Sequence, residues 1–143
     1  MTPESLAALH AKAMEFPAPW SAAEFESLLE SKTVFVIPAD ADQTEAGFAL
    51  GRIVLDEAEL LTIAIAPNLR RRGLGRKCLN TFEAEAANLG AINAHLEVAA
   101  SNVAARTLYA RNGWLETGLR KAYYRTPSGR IDAILMQKPL TTD

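Results

Sequence analysis

From Arg70 to Lys77 the chain reads Arg70-Arg71-Arg72-Gly73-Leu74-Gly75-Arg76-Lys77, five cations and two glycines in eight residues. An apolar run ending at Pro67 leads into this stretch, and a segment of helical period leaves it. The first N–H groups of a helix have no partner inside the helix and carry partial positive charge. Glycines let a bulky anion approach them closely, and arginines add charge at the same place. The chemistry predicted is binding of a phosphate chain, with a solvated basic helix start and a nucleic-acid patch as the alternatives. The stretch is not a P-loop, because Gly75 is followed by Arg76-Lys77 with no Ser or Thr. It is not a dinucleotide fingerprint either. Cys78 stands where the third glycine belongs, and the loop follows a late strand rather than a first one.

Other chemistries find little support. A single cysteine, Cys78, excludes an internal disulfide framework and a cysteine-based zinc site. The two histidines, His10 and His95, leave little for a histidine metal site, so no metal is expected. Fifteen Lys and Arg against seventeen Asp and Glu give a net charge of −2, which disfavours a dedicated nucleic-acid binder. No apolar stretch approaches the ~20 residues of a membrane helix. The N-terminus carries Glu4 and lacks the basic and apolar runs of a signal peptide. At 143 residues, the expectation is one cytoplasmic domain over 1–143, without a membrane or nucleic-acid partner.

The elements that must position the loop follow from period and punctuation. Residues 3–15 read as a helix with Thr2 as cap and Pro3 at its start. Pro17 and Pro19 break the chain, and Ser21 with Glu24 forms a capping box for a second helix running to Glu30, with Phe25 and Leu28 on its apolar face. Thr33–Ile37, Gly47–Leu55 and Glu59–Ala66 read as three strands, the last two joined by a turn at Asp56-Glu57. They lie too close together for intervening helices, so they pair as an antiparallel meander. Leu74, Cys78, Phe82, Ala86 and Leu89 mark one helix face, with Gly90 as the stop and Cys78 as an inert core thiol. Ile92–Val98 is the next strand, parallel to the one before the glycine loop. Ser101 and Asn102 offer caps for a last helix, with Ala105, Leu108 and Tyr109 facing inward and Gly113 ending it. Trp114–Leu119 and Ile131–Gln137 close the sheet around a turn at 125–130, and Trp20 and Trp114 read as core. The fold class is α+β, in the order ααβββαβαββ.

These motifs together resemble the GNAT N-acetyltransferases over roughly residues 16–138. The resemblance rests on Arg70-x-x-Gly73-x-Gly75 and on Asp56-Glu57-Ala58-Glu59-Leu60-Leu61-Thr62-Ile63-Ala64-Ile65-Ala66-Pro67. It extends to Leu96-Glu97-Val98-x-x-Ser101-Asn102-x-x-Ala105-x-x-Leu108-Tyr109-x-x-x-Gly113-Trp114. Phe16-x-x-Pro19-Trp20-Ser21, Tyr123-Tyr124 and Gly129-Arg130-x-Asp132-Ala133-x-x-Met136 complete it. The pattern is most like the branch of that family that acetylates the N-terminal alanine of ribosomal proteins. It implies a GNAT fold, with a mixed, mostly antiparallel sheet of six to seven strands and about four flanking helices. It also implies acetyl-coenzyme A as co-substrate and a protein N-terminus as partner.

The resemblance carries roles to particular positions. It puts the pyrophosphate on the backbone of residues 71–76, and makes Arg70, Arg71, Arg72, Gly73, Leu74, Gly75 and Arg76 cofactor-binding. Ile63 and Ile65 would line the acetyl-pantetheine arm between splayed parallel strands, with the Ile65 amide on the thioester carbonyl. Asn102 would contact the cofactor. Glu97 matches the general base and Tyr109 the general acid, while Tyr123 and Tyr124 would flank the acceptor. Each also has a plainer reading. For Glu97 it is pairing with an arginine at the sheet edge, for Tyr109 a core aromatic, and for Asn102 a helix cap. The alternatives for the chain as a whole are a small-molecule amine or a lysine side chain as acceptor, and coenzyme A binding without catalysis. Two positions depart from the family pattern: Ala99 where an arginine often follows Leu-Glu-Val, and Ile131 where an acidic residue often precedes Asp132. Both fall on the side that the resemblance assigns to the acceptor.

Overall fold

In the computed structural model, which describes residues 1–14 and 18–140, a six-stranded sheet carries helices on both faces. Glu15, Phe16 and Pro17 of the expected first helix, motif and break lie outside the described residues. Helix α1 is Pro3–Ala13, and the Thr2 hydroxyl accepts from the Ser5 N–H at 3.1 Å. Helix α2 is Ala22–Leu29, held at its start by the Ser21/Glu24 capping box. Strands β1 (Val34–Pro38), β2 (Gly47–Val54) and β3 (Glu57–Ile65) form the meander. Helix α3 (Leu74–Asn88) crosses to β4 (Asn93–Ala99), and α4 (Val103–Arg111) leads to the hairpin of β5 (Leu115–Thr126) and β6 (Gly129–Pro139). The strand order is β1-β2-β3-β4-β6-β5, antiparallel except between β3 and β4.

Each face has its own core. Cys78, Leu79, Phe82 and Ala86 of α3 pack with Ala49, Ala58, Leu60, Leu96 and Met136 of the sheet. Leu6 and Leu9 of α1 and Phe25 of α2 pack with Phe48, Leu50 and Ala64 on the opposite face. One irregularity in β3 decides what the site will be made of. Gly51 stands opposite Leu60 and Leu50 opposite Thr62, so Leu61 is an extra residue, a β-bulge. Before it, Ala58 and Leu60 face α3; after it, Ala64 faces α1 and α2. The bulge therefore turns Ile63 and Ile65 toward the α3 side, where they pack at the margin of that core.

Several sequence expectations move. The β2–β3 turn is Leu55-Asp56 rather than Asp56-Glu57, with Leu55 at φ +58°, and β3 begins at Glu57. Leu89 is not on the buried face: α3 ends one residue earlier, and Leu89 is 52% exposed. Trp114 is buried as expected, whereas Trp20 is only half-buried. The closing hairpin is much longer than read, because β5 resumes its ladder with β6 beyond an irregularity at residues 121–123.

Candidate active site

The parallel strands β3 and β4 pair over three positions, Glu57 with Asn93, Ala58 with Ala94 and Glu59 with His95. Beyond them the strands part, β3 continuing to Ile65 and β4 to Ala99. The main-chain groups along the parting cannot satisfy one another. At its wide end the chain turns through Arg71 at φ +65° and Gly73 at φ +78° into α3. Gly73 is the N-cap residue and offers no side chain, so no side-chain oxygen covers the first N–H groups of α3. A Cβ on Gly75 would stand in van der Waals contact with the Leu108 side chain, at 3.4 Å, so a larger side chain there would narrow the space between α3 and α4.

These parts enclose a cleft of about 1160 Å³. Its walls include Ile63, Ile65, Arg70, Arg71, Gly73, Leu74, Gly75, Arg76 and Asn102, all expected at the site. Arg72 is not among its walls. Arg70 lines it, yet its guanidinium donates to the Ala13 carbonyl at 2.7 Å and so ties the loop to the end of α1. Asn102 keeps both of its readings, since its side chain lines the cleft and also accepts from the Ala105 N–H at 3.1 Å as the α4 cap. Uncovered helix N–H groups with flanking arginines at one end, and apolar walls between parted strands at the other, fit a long ligand with an anionic and an apolar portion.

A second cavity of about 360 Å³ opens on the other side of the parting. Glu97, Tyr109, Tyr123 and Tyr124 all line it. The two cavities share Met14, Ile63, Asn102 and Ala105, so they meet at the end of β4. Glu97 also makes the ion pair of its plainer reading, 3.1 Å from the Arg120 guanidinium. Tyr109 is 6% exposed, and burial pushes its phenol well above the ordinary tyrosine value. Like any tyrosine it is protonated at neutral pH, and burial keeps it so to higher pH. Burial, with Glu97 and Tyr123 nearby, also raises Tyr124. His95 lies instead beside Glu57, at the end where β3 and β4 are still paired. Burial pushes the Cys78 thiol up to about 12, consistent with an inert core thiol.

Sequence reasoning missed His10. It is 2% exposed beneath the second cavity, with its Nε2 3.0 Å from the Thr62 hydroxyl. Its Nδ1 accepts from the Trp20 N–H at 2.9 Å, so the ring proton is on Nε2. Burial lowers its pKa to about 4, with Glu24 opposing. Helical spacing alone placed His10 on the same face as Leu6, which was its one sequence signal.

Among the described residues, no cluster of three or more His, Cys, Asp or Glu is arranged to hold a metal ion. Nor is any helix among them long and apolar enough to cross a membrane.

Parted parallel strands, a glycine-arginine turn into a helix and two cavities meeting between the strands agree with comparison to known proteins. Residues 6–114 match the acetyltransferase (GNAT) family, and the chain belongs to it. It is 40% identical over 123 residues to the [ribosomal protein bS18]-alanine N-acetyltransferase of Salmonella typhimurium, covering 86% of this chain and 82% of that one. It is 38% identical over 135 residues to the enzyme of the same name from Escherichia coli K12, covering 94% and 90%. The crystal structure of the ribosomal-protein-S18-alanine N-acetyltransferase from Escherichia coli superposes with a TM-score of 0.86, at 35% identity over 99% of this chain and 89% of that one. Arabidopsis thaliana NAA60 in complex with acetyl-CoA, at 18% identity and a TM-score of 0.79 over 96% and 92% of the two chains, shares the fold.

Proposed function

We propose that the chain, as one catalytic domain over 1–143, moves the acetyl group of acetyl-coenzyme A onto the N-terminal α-amine of a protein. The acceptor is the N-terminal alanine of a ribosomal protein, as the names of relatives at 38–40% identity over most of both chains suggest. The observation that carries the reaction is the junction of the two cavities at Ile63 and Asn102, with Glu97 and Tyr109 lining one of them. The setting is cytoplasmic, and neither a nucleic acid nor a membrane takes part.

Acetyl-coenzyme A supplies an acetyl group already activated as a thioester, so no side-chain nucleophile is needed. The N–H groups of residues 71–76 hold its pyrophosphate, with Arg71 and Arg76 adding charge. The backbone of Ile63 and Ile65 lines the acetyl-pantetheine arm, and the Ile65 N–H donates to the thioester carbonyl, where negative charge develops. Asn102 contacts the arm from the α4 side. An α-amine with a pKa near ~8 must lose a proton before it can attack. Glu97 takes that proton, directly or through water. Tyr109, a phenol protonated at neutral pH, gives its proton to the departing sulfur. Tyr123 and Tyr124 flank the acceptor.

The test offers acetyl-coenzyme A with a short peptide bearing a free N-terminal alanine, the same peptide blocked, and free polyamines. The expected outcome is one acetyl group on the free peptide alone, read by mass spectrometry. Acetylation of polyamine without acetylation of the peptide would overturn the assignment.

A further inference from the structure

Tyr123 and Tyr124 are consecutive residues, yet both line the second cavity. A regular strand cannot do this, because successive side chains point to opposite faces of the sheet. The register shows how the rule is broken. Arg120 stands opposite Ala133 and Tyr124 opposite Ile131, so Lys121, Ala122 and Tyr123 together oppose Asp132. The turn centres on Ala122 at φ +51°, a left-handed conformation that a residue with a Cβ adopts reluctantly. Something must hold it there, and Asp132 is in place to do so.

The Asp132 carboxylate accepts from the Ala122 N–H at 2.7 Å, and the Arg130 guanidinium donates to the Ala122 carbonyl at 3.3 Å. Both main-chain groups of the strained residue are thus held by side chains of β6. The Asp132 carbonyl accepts from the Ala100 N–H at 2.8 Å, which ties the same residue to the end of β4, three positions past Glu97. The pinned turn sets the Tyr123 and Tyr124 rings edge to face, 5.1 Å apart. It also leaves the Arg120 guanidinium 5.5 Å from the centre of the Tyr123 ring while that arginine pairs with Glu97.

We propose that Asp132 is a positioning residue for acceptor recognition: its carboxylate pins Ala122 in the turn that presents Tyr123 and Tyr124 to the first residues of the acceptor. This rests on the peptide-acceptor reading above and adds the device that shapes that site. Asp132 touches neither substrate. The device acts on acceptor affinity and leaves the coenzyme cleft alone, because none of its members lines that cleft.

The experiment compares the wild-type chain with Asp132→Ala and Asp132→Asn, using acetyl-coenzyme A and the free N-terminal alanine peptide. Exchange of the Ala122 amide is followed by NMR in the same samples. Loss of one charge-assisted hydrogen bond predicts a rise of about tenfold in the peptide KM for Asp132→Ala, with kcat at saturating peptide and acetyl-coenzyme A affinity within about twofold. The Ala122 amide loses its protection in that variant. Asp132→Asn keeps an acceptor oxygen and recovers most of both readouts. A wild-type chain that does not acetylate the peptide would overturn the acceptor reading and this role with it. An active wild type with an unchanged peptide KM in Asp132→Ala would overturn the positioning role alone. So would an equal loss in Asp132→Ala and Asp132→Asn, since the bond to Ala122 would then not be the cause.

Discussion

Glu97 on β4 and Arg120 on β5 form an ion pair at 3.1 Å although β6 lies between their strands. The pair is half-exposed, and such pairs are worth at most ~1 kcal/mol to stability. Its place at the wall of the second cavity, rather than its strength, gives it significance. Glu97→Gln keeps the shape and removes the base. Turnover should fall at least ~100-fold, the scale of general base catalysis, while acetyl-coenzyme A affinity and the melting temperature barely change. Steady-state kinetics beside calorimetry decide it, and unchanged turnover would remove Glu97 from the chemistry.

Tyr109→Phe tests the other half. The ring keeps its packing against Trp114, so the variant should fold. Its turnover should drop by about two orders of magnitude. Because burial raises the phenol, kcat in the wild type should not decline through tyrosine ionisation near pH ~10, where an ordinary tyrosine is half ionised. A kcat profile that fell there with the phenol's ionisation would contradict the burial argument.

Gly75→Val probes the cleft without touching either proton-transfer residue. Even a Cβ at this position meets Leu108 at 3.4 Å, so the branched side chain must push α4 away or fill the gap. Acetyl-coenzyme A affinity should weaken at least about tenfold, roughly 1.4 kcal/mol by titration calorimetry. Gly73→Ala acts differently. Nothing lies within 4 Å of its Cβ, so its cost comes from the left-handed backbone, about 1 kcal/mol in stability by denaturant unfolding.

His10 predicts a pH dependence of stability. Its pKa falls from 6.5 in the unfolded chain to about 4 in the folded one. Above pH ~6.5 both states hold it neutral, and its contribution is complete. Between the two values the unfolded chain binds the proton and the folded chain refuses it, so stability falls as pH falls. At pH 5 the loss from this group should be about 2 kcal/mol. Comparing wild type with His10→Gln at pH 7 and pH 5 isolates it. The variant should be less stable at pH 7 but lose less on acidification, and equal losses in both would sink the account.

The residues themselves show how far the sequence could be read. Capping at Thr2, Ser21 and Asn102 involves neighbours three positions apart, so the helix starts were legible and the structure has them. The glycine-arginine turn was legible for the same reason. What was not legible depends on contacts far along the chain. The Leu61 bulge exists only in the pairing of β3 with β2, and the turn at Ala122 only in the pairing of β5 with β6. His10 meets its partner 52 residues away. Arg72 is expected at the site with its neighbours, and the structure leaves it outside the cleft walls that Arg70, Arg71 and Arg76 line, because charge in a run carries no direction.

The parting of β3 from β4 has one further consequence. Three paired positions are the main-chain seam between a half-sheet of β1, β2 and β3 and a half-sheet of β4, β6 and β5. A ligand lying in the gap therefore becomes a rung of the sheet, taking up hydrogen bonds that no strand supplies. Its occupancy is then mechanical as well as chemical. At a hundredfold excess over Kd it would reinforce the folded chain by about 2.7 kcal/mol.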